Sequence, residues 1–358
     1  MIMKRRTFLK TVGGVTGGLA LSADRSIAAD LAGKPAPPTP GDGVPQRVLG
    51  RTGQQVSVVG FPGLALIQYD QARCTEGLHR AFDRGINYFD IAPAYGNGQC
   101  ETRMGIGLQG LDRSRYFLAC KTKMRDKDGA RKELENSLRL LKTDHFDLYQ
   151  MHHLVRVADV QKALGPGGAL ETFLKAKEEG KIKSIGFSAH TTKAALEALR
   201  GFNFDTVMFP INFVEFFLRD FGKDVMALAN SQGAALLAIK AMSRGTWPKD
   251  VEHARKWWYR SVEDDLEVNL AWRFVLSQPG VVAGFPPSYL DLLDKAIQAV
   301  QSLRPITPGE IAELKRVAQT TGSIFIREEE QAEKSAAAGS RHGWAYHEHP
   351  HECDGHEV

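Results

Sequence analysis

The sequence predicts an α/β protein, a (β/α)8 TIM barrel, from three observations. Between residues 56 and 302, eight short β-branched or apolar runs alternate with longer segments of helical period. Several helical segments end in Gly after Lys or Arg, as helix C-termini do. No GxGxxG follows the first apolar run, which disfavours the rival, an open doubly wound sheet. Strands that alternate with helices form parallel sheets, and eight such units close naturally into a barrel.

The strands are read at VSVVG (56–60), INYFDIA (86–92), RYFLACK (115–121), FDLYQMH (146–152), KSIGFS (183–188), TVMFPIN (206–212), ALLAIK (235–240) and VVAGF (281–285). Each has strand length and β-branched or apolar composition. The intervening helical patterns include TEGLHRAFDRG, GARKELENSLRLLK, ALETFLKAKEEGK and KAALEALRG. After the seventh strand a longer insertion, residues 243–262, carries Trp247, Trp257, Trp258 and Tyr259. It either lines a substrate mouth or packs an extra helix on the barrel.

The barrel is assigned to residues 47–322. Residues 1–29 lie outside it: Arg5 and Arg6 precede Phe8, Leu9 and Lys10, a weakly apolar stretch follows, and small residues stand at positions 26–29. That is the pattern of a secretory signal. The tandem arginines resemble the twin-arginine export signal, which implies the twin-arginine export machinery as partner and a periplasmic location. The apolar run, about 13 residues, is short of the ~20 that cross a bilayer, so no stable membrane anchor is expected. Residues 30–46 are Pro- and Gly-rich and read as a linker. Residues 323–358 read as a charged tail without apolar periodicity, ending in a cluster with His342, His347, His349, His351, Cys353 and His356. That cluster has residues able to hold zinc or copper, but no metal site is assigned to it.

The net charge of +4 is spread thinly, with no basic block to suggest nucleic acid. Four cysteines without a CxxC pair indicate no disulfide framework.

A barrel places its functional residues at the C-terminal ends of strands. Asp90 and Tyr95 follow the second strand, Lys121 ends the third, and His152 and His153 end the fourth. Ser188 and His190 follow the fifth, Asn212 the sixth, and Lys240 ends the seventh. A lysine closing the apolar run LACK needs an anion, and Asp90 on the neighbouring strand supplies one. A cation near a phenol favours phenolate, so Lys121 would ready Tyr95 for proton transfer. Gly96 and Gly98 let the chain turn around Tyr95. His152 adds a directional donor for a substrate oxygen, whereas alternation sends His153 into the layer between strands and helices as a structural histidine.

With those residues in order, the chain resembles the aldo-keto reductase family. RVLGRTGQQVSVVG, FDIAPAYGNGQCE, FLACK, DLYQMHH and GKIKSIGFS are similar to its successive strand motifs over residues 47 to about 300. The resemblance implies Tyr95 as general acid/base, Lys121 as the charge that tunes it, Asp90 as the partner of Lys121, and His152 as the group orienting a carbonyl. It implies reversible reduction of a small aldehyde or ketone, or oxidation of the alcohol, with NADP(H) as cofactor and NAD(H) as the alternative. Ser188, Asn212, Lys240, Ser243, Arg244 and Ser288 are the candidate cofactor contacts, Ser288 standing at a helix start. Glu101 fits a family position and reads as structural.

Departures sit on the cofactor side. Ala189 and His190 follow Ser188 where the family has Ser-Asn, Met208 stands where it has Gln, and Lys295 and Ala296 where it has Glu-Asn. Neither Ala189 nor Met208 can replace an amide. These departures motivate a second reading, a non-catalytic exported barrel serving as a ligand-binding or sensing module with a metal-binding His-rich tail.

Overall fold

A computed structural model describes residues 43–337 apart from Asp250 and Ala254. The export signal, most of the linker and the His-rich cluster at 342–356 lie outside the described residues. An antiparallel hairpin, β1 (Gln46–Val48) and β2 (Gln55–Ser57), precedes eight parallel strands. These are β3 (Phe61–Pro62), β4 (Tyr88–Asp90), β5 (Phe117–Thr122), β6 (Phe146–Leu154), β7 (Ile182–Ala189), β8 (Thr206–Pro210), β9 (Ala235–Ile239) and β10 (Val281–Gly284). Each pairs with the next in chain order. The ring closes where Val59 bridges Gly284 in parallel: Gly60 N donates to Gly284 O, and Gly284 N to Val58 O, both at 2.9 Å. The (β/α)8 expectation holds.

One strand differs from its sequence reading. The run at 56–60 divides between the hairpin and the closing bridge, and the strand that pairs with β4 is 61–62. Packing explains the division. Val56 joins Leu49, Tyr88, Phe117, Leu148, Met208 and Leu237 in a cluster inside the barrel. Tyr88 and Phe117 begin their strands, so the hairpin plugs the N-terminal end. Arg47 pins it there, donating to Leu276 O at 2.9 Å and Val281 O at 2.7 Å.

Helices cover the outside, and their ends follow local chemistry. Helix Lys127–Leu141 begins where the Asp126 side chain accepts from Gly129 N at 2.8 Å, satisfying an orphan donor of the first turn. Ala130, Leu134, Leu138 and Leu141, three or four apart, are its buried stripe. Lys142 ends it in the left-handed region.

Of the two roles weighed for the 243–262 insertion, the extra helix is not seen among its described residues. Trp257 and Tyr259 are buried, Trp247 Nε1 donates to Trp257 O at 2.8 Å, and Trp258 packs edge-on against Phe325.

The chain read from 323 as a charged tail instead packs on the barrel as far as Glu333. Phe325 is fully buried and stacks on Phe221. Helix Ile326–Ala337 follows and is tied down by carboxylates: Glu329 to Arg219 at 2.5 Å and Thr192 N at 3.2 Å, Glu333 to Lys193 at 2.7 Å. Polar ties of this kind leave no apolar period in the sequence. No helix among the described residues is long and apolar enough to cross a membrane.

Candidate active site

The register of β4 against β5 sets Asp90 opposite Ala119, so Lys121, two residues on, points to the same face one pleat higher. Lys121 is fully buried, and its Nζ donates to Asp90 Oδ2, to Tyr95 OH at 2.9 Å and to Ile91 O at 3.3 Å. A lysine with no water needs this anion and these acceptors. Gln150, on β6, approaches the other Asp90 oxygen at 3.5 Å.

Tyr95 reaches the ammonium because the loop after β4 turns back on itself. Gly98 N donates to Pro93 O at 2.8 Å, and Gly96, Asn97 and Gly98 all have positive φ, 50° to 85°. Glycine carries that conformation without penalty at two of the three positions. Gly63 lets the β3 loop lie flat on this corner, since a Cβ there would stand 2.2 Å from Asp90 O. The His152 ring meets Tyr95 edge-on, centroids 5.7 Å apart. Burial above all, then the Lys121 charge, holds the imidazole well below its usual range, so His152 is neutral at pH 7.

Cys120, alternating with Lys121, faces outward to Glu101, its Sγ 3.7 Å from Oε1. Burial pushes the Glu101 carboxyl up to about 7 from its ordinary 4.5. Between those pH values the folded chain keeps a proton that the unfolded chain releases, and the stability this confers is lost as pH rises through 7. Glu101→Gln should therefore flatten the decline: similar to the parent near pH 4.5, more stable at pH 8 by roughly 2–3 kcal/mol. Urea unfolding at both pH values checks this; an unchanged pH slope refutes it.

The candidate cofactor residues divide. Lys240 and Ser288, both buried, line a narrow cavity with Asp90 and Tyr95. Its free space is about 20 Å³, enough for roughly one water. Lys240 Nζ lies over the Trp258 ring, 5.5 Å from the centroid. The other four make bonds within the protein. Ser188 Oγ accepts from His153 N at 2.8 Å, Asn212 caps helix Phe213–Arg219 through Glu215 N at 3.0 Å, Ser243 Oγ accepts from Gly245 N at 3.1 Å, and Arg244 pairs with Glu267. Among the departures, Met208 belongs to the barrel interior, Ala189 and Ala296 are buried, and Lys295 pairs with Asp265 at 2.6 Å.

His153, expected as a structural histidine between strands and helices, is buried and meets the C-terminal helix. Its φ is +58° beside a register shift between Met151 and Leu154, and its ring centroid lies 4.4 Å from that of His190. Glu328, from the C-terminal helix, approaches both. Burial first, then the neighbouring His153, pushes His190 down to about 3. The sequence places His153 and His190 at the ends of adjacent strands but gives no local sign of Glu328.

Comparison with known proteins places the chain in a family built on this barrel. It belongs to the aldo-keto reductases: the model described as "Aldo/keto reductase family" matches residues 63–337. L-galactose dehydrogenase of Arabidopsis thaliana is 33% identical over 157 residues, 40% of this chain and 47% of that protein. Aldo-keto reductase YhdN of Bacillus subtilis (strain 168) is 29% identical over 188 residues, 49% of this chain and 54% of that protein. The chain thus spans about half the length of these curated relatives. Among solved structures, the holo form of an aldo-keto reductase from Bacillus halodurans is similar with a TM-score of 0.63 at 23% identity, covering 79% of this chain and 99% of that one. An aldo-keto reductase from Klebsiella pneumoniae in complex with NADPH gives 0.58 at 20% identity, covering 76% and 94%. These two likenesses show the fold.

Proposed function

We propose that the chain is an NADP(H)-dependent oxidoreductase that reduces a small aldehyde or ketone, or oxidises the corresponding alcohol. One observation carries the reading: the buried Lys121 ammonium is shared between the Asp90 carboxylate and the Tyr95 hydroxyl. A reduced nicotinamide supplies hydride when bound. Tyr95 OH gives its proton to the substrate oxygen, and the ammonium 2.9 Å away stabilises the negative charge left on the phenol. Asp90 fixes Lys121 for that task. Neutral His152 can offer one N–H to the carbonyl oxygen and orient it.

The cofactor fits this chain unevenly. Lys240 and Ser288 suit a phosphate end, Ser288 preceding helix Leu290–Gln301 and Lys240 bringing a buried cation. Ser188 Oγ and Asn212 Oδ1 already accept from backbone N–H groups, but the buried Asn212 Nδ2 has no hydrogen-bond partner among the described residues and could donate to a carboxamide oxygen. A nicotinamide ring also needs more room than the narrow cavity beside Tyr95 offers, so side chains that line it would have to move aside. Ala189 and Met208, which cannot stand in for amides, favour the second reading, a barrel that binds without turnover. The relative in complex with NADPH and the intact Asp90, Lys121, Tyr95 and His152 set support the first. Export through the twin-arginine machinery belongs to this reading, with cofactor loaded before passage.

Titrating the full chain with NADPH and NADH, and following cofactor fluorescence, tests it. Saturable binding of at least one well below about 1 mM is expected. No saturation of either near that concentration overturns it.

A further inference from the structure

The C-terminal ends of β6 and β7 and the helix Ile326–Ala337 meet at a cluster that the reductase reading does not use. We propose that His153 Nε2, His190 Nδ1 and Glu328 Oε1 bind one divalent transition-metal cation, zinc foremost, which fastens the C-terminal helix to the barrel.

Geometry is the first support. Glu328 Oε1 lies 3.3 Å from His153 Nε2 and 3.5 Å from His190 Nδ1, and the three atoms fall within 4.8 Å of one another. Zinc holds imidazole nitrogen and carboxylate oxygen at roughly 2.0–2.2 Å. Two ligands at that distance and a tetrahedral angle stand about 3.4 Å apart, which both nitrogen-to-oxygen separations match. Both are longer than the roughly 2.7–3.2 Å of a good N–H···O bond, so mutual hydrogen bonding explains them less well. The two imidazoles also converge on the same carboxylate oxygen from rings set at 86° to each other.

Charge is the second. The Glu328 side chain is 12% exposed, and its Oε1 faces the His153 and His190 imidazoles. A buried carboxylate calls for a cation, and a divalent ion supplies it while leaving the imidazoles neutral, the form in which histidine ligates.

Preorganisation is the third. His153 adopts φ +58°, a region that non-glycine residues occupy at a cost, and its N donates to Ser188 Oγ at 2.8 Å. That turn accompanies the approach of its ring to His190, and the Phe325 ring also packs against His190. Two nitrogens and one carboxylate oxygen form a donor set of borderline softness, suited to zinc over calcium or magnesium. Three protein ligands leave a fourth position for water.

The full chain, stripped of metal, is titrated with zinc alongside His153→Asn and Glu328→Gln. Asn tolerates positive φ, so the first variant keeps the backbone; Gln keeps the size of Glu328. All three proteins retain the histidines at 342–356, whose binding is therefore a common background. One zinc is expected to bind the parent at least about tenfold more tightly than either variant. Zinc is also expected to slow amide exchange across residues 326–337 in the parent and not in Glu328→Gln. Equal affinity and stoichiometry in all three would mean that only the distal histidines bind, and would overturn the site. Zinc binding that leaves exchange over 326–337 unchanged would overturn the fastening.

Discussion

Tyr95→Phe is expected to lower kcat by about 10³-fold while changing NADPH affinity by less than about threefold. The substitution removes one oxygen. The ring that meets His152 edge-on stays, and Lys121 keeps Asp90 and Ile91 O as acceptors, so the corner should hold its shape. What is lost is the proton donor at the one place where an ammonium stands 2.9 Å away to stabilise the resulting anion. On the proposed reading cofactor binding would draw on Lys240 and Ser288, neither of which the substitution alters. Single-turnover reduction of a panel of aldehydes with NADPH separates the two effects. An undiminished rate in the variant would show that another group delivers the proton.

The proton-transfer corner was legible because neighbouring parallel strands keep a simple register. Asp90 opposite Ala119 makes Lys121 its neighbour by alternation alone, and Tyr95 follows on a glycine-bearing loop too short to carry it far. The eight-fold alternation was legible for a similar reason, since each strand lies between helices and reads as a compact apolar run. Where the sequence misled, long-range packing decided. Val56 looks like part of a barrel strand until Leu49 and the interior cluster draw it into a plug. No residue pattern announces the positive φ of His153 or the approach of its ring to His190. Glu328 is 175 residues away from His153 on a helix held by salt bridges, so nothing local connects the two. The cofactor side was ambiguous for a different reason: Ser188, Asn212 and Ser243 are polar residues at strand ends, which can equally cap backbone N–H groups, and here they do.

Lys121→Met should cost both turnover and stability, and a second substitution should restore only the latter. Methionine fills much of the volume of the lysine stem but leaves the Asp90 carboxylate, 4% exposed, without its cation inside the barrel. Breaking a buried pair in this way destabilises by about 3–5 kcal/mol, because the remaining charge has lost both water and partner. Asp90→Leu in the same chain removes that charge, and an apolar pair of similar volume is often as stable as the ions it replaces. The double variant is thus expected to recover most of the unfolding free energy in urea. Its kcat should stay about 10³-fold below the parent, because no ammonium then faces the Tyr95 hydroxyl. Recovery of stability without rate would assign the pair to catalysis, at a cost in folding that an apolar interior would avoid. Recovery of both would mean that Lys121 serves the fold alone and that Tyr95 needs no neighbouring charge.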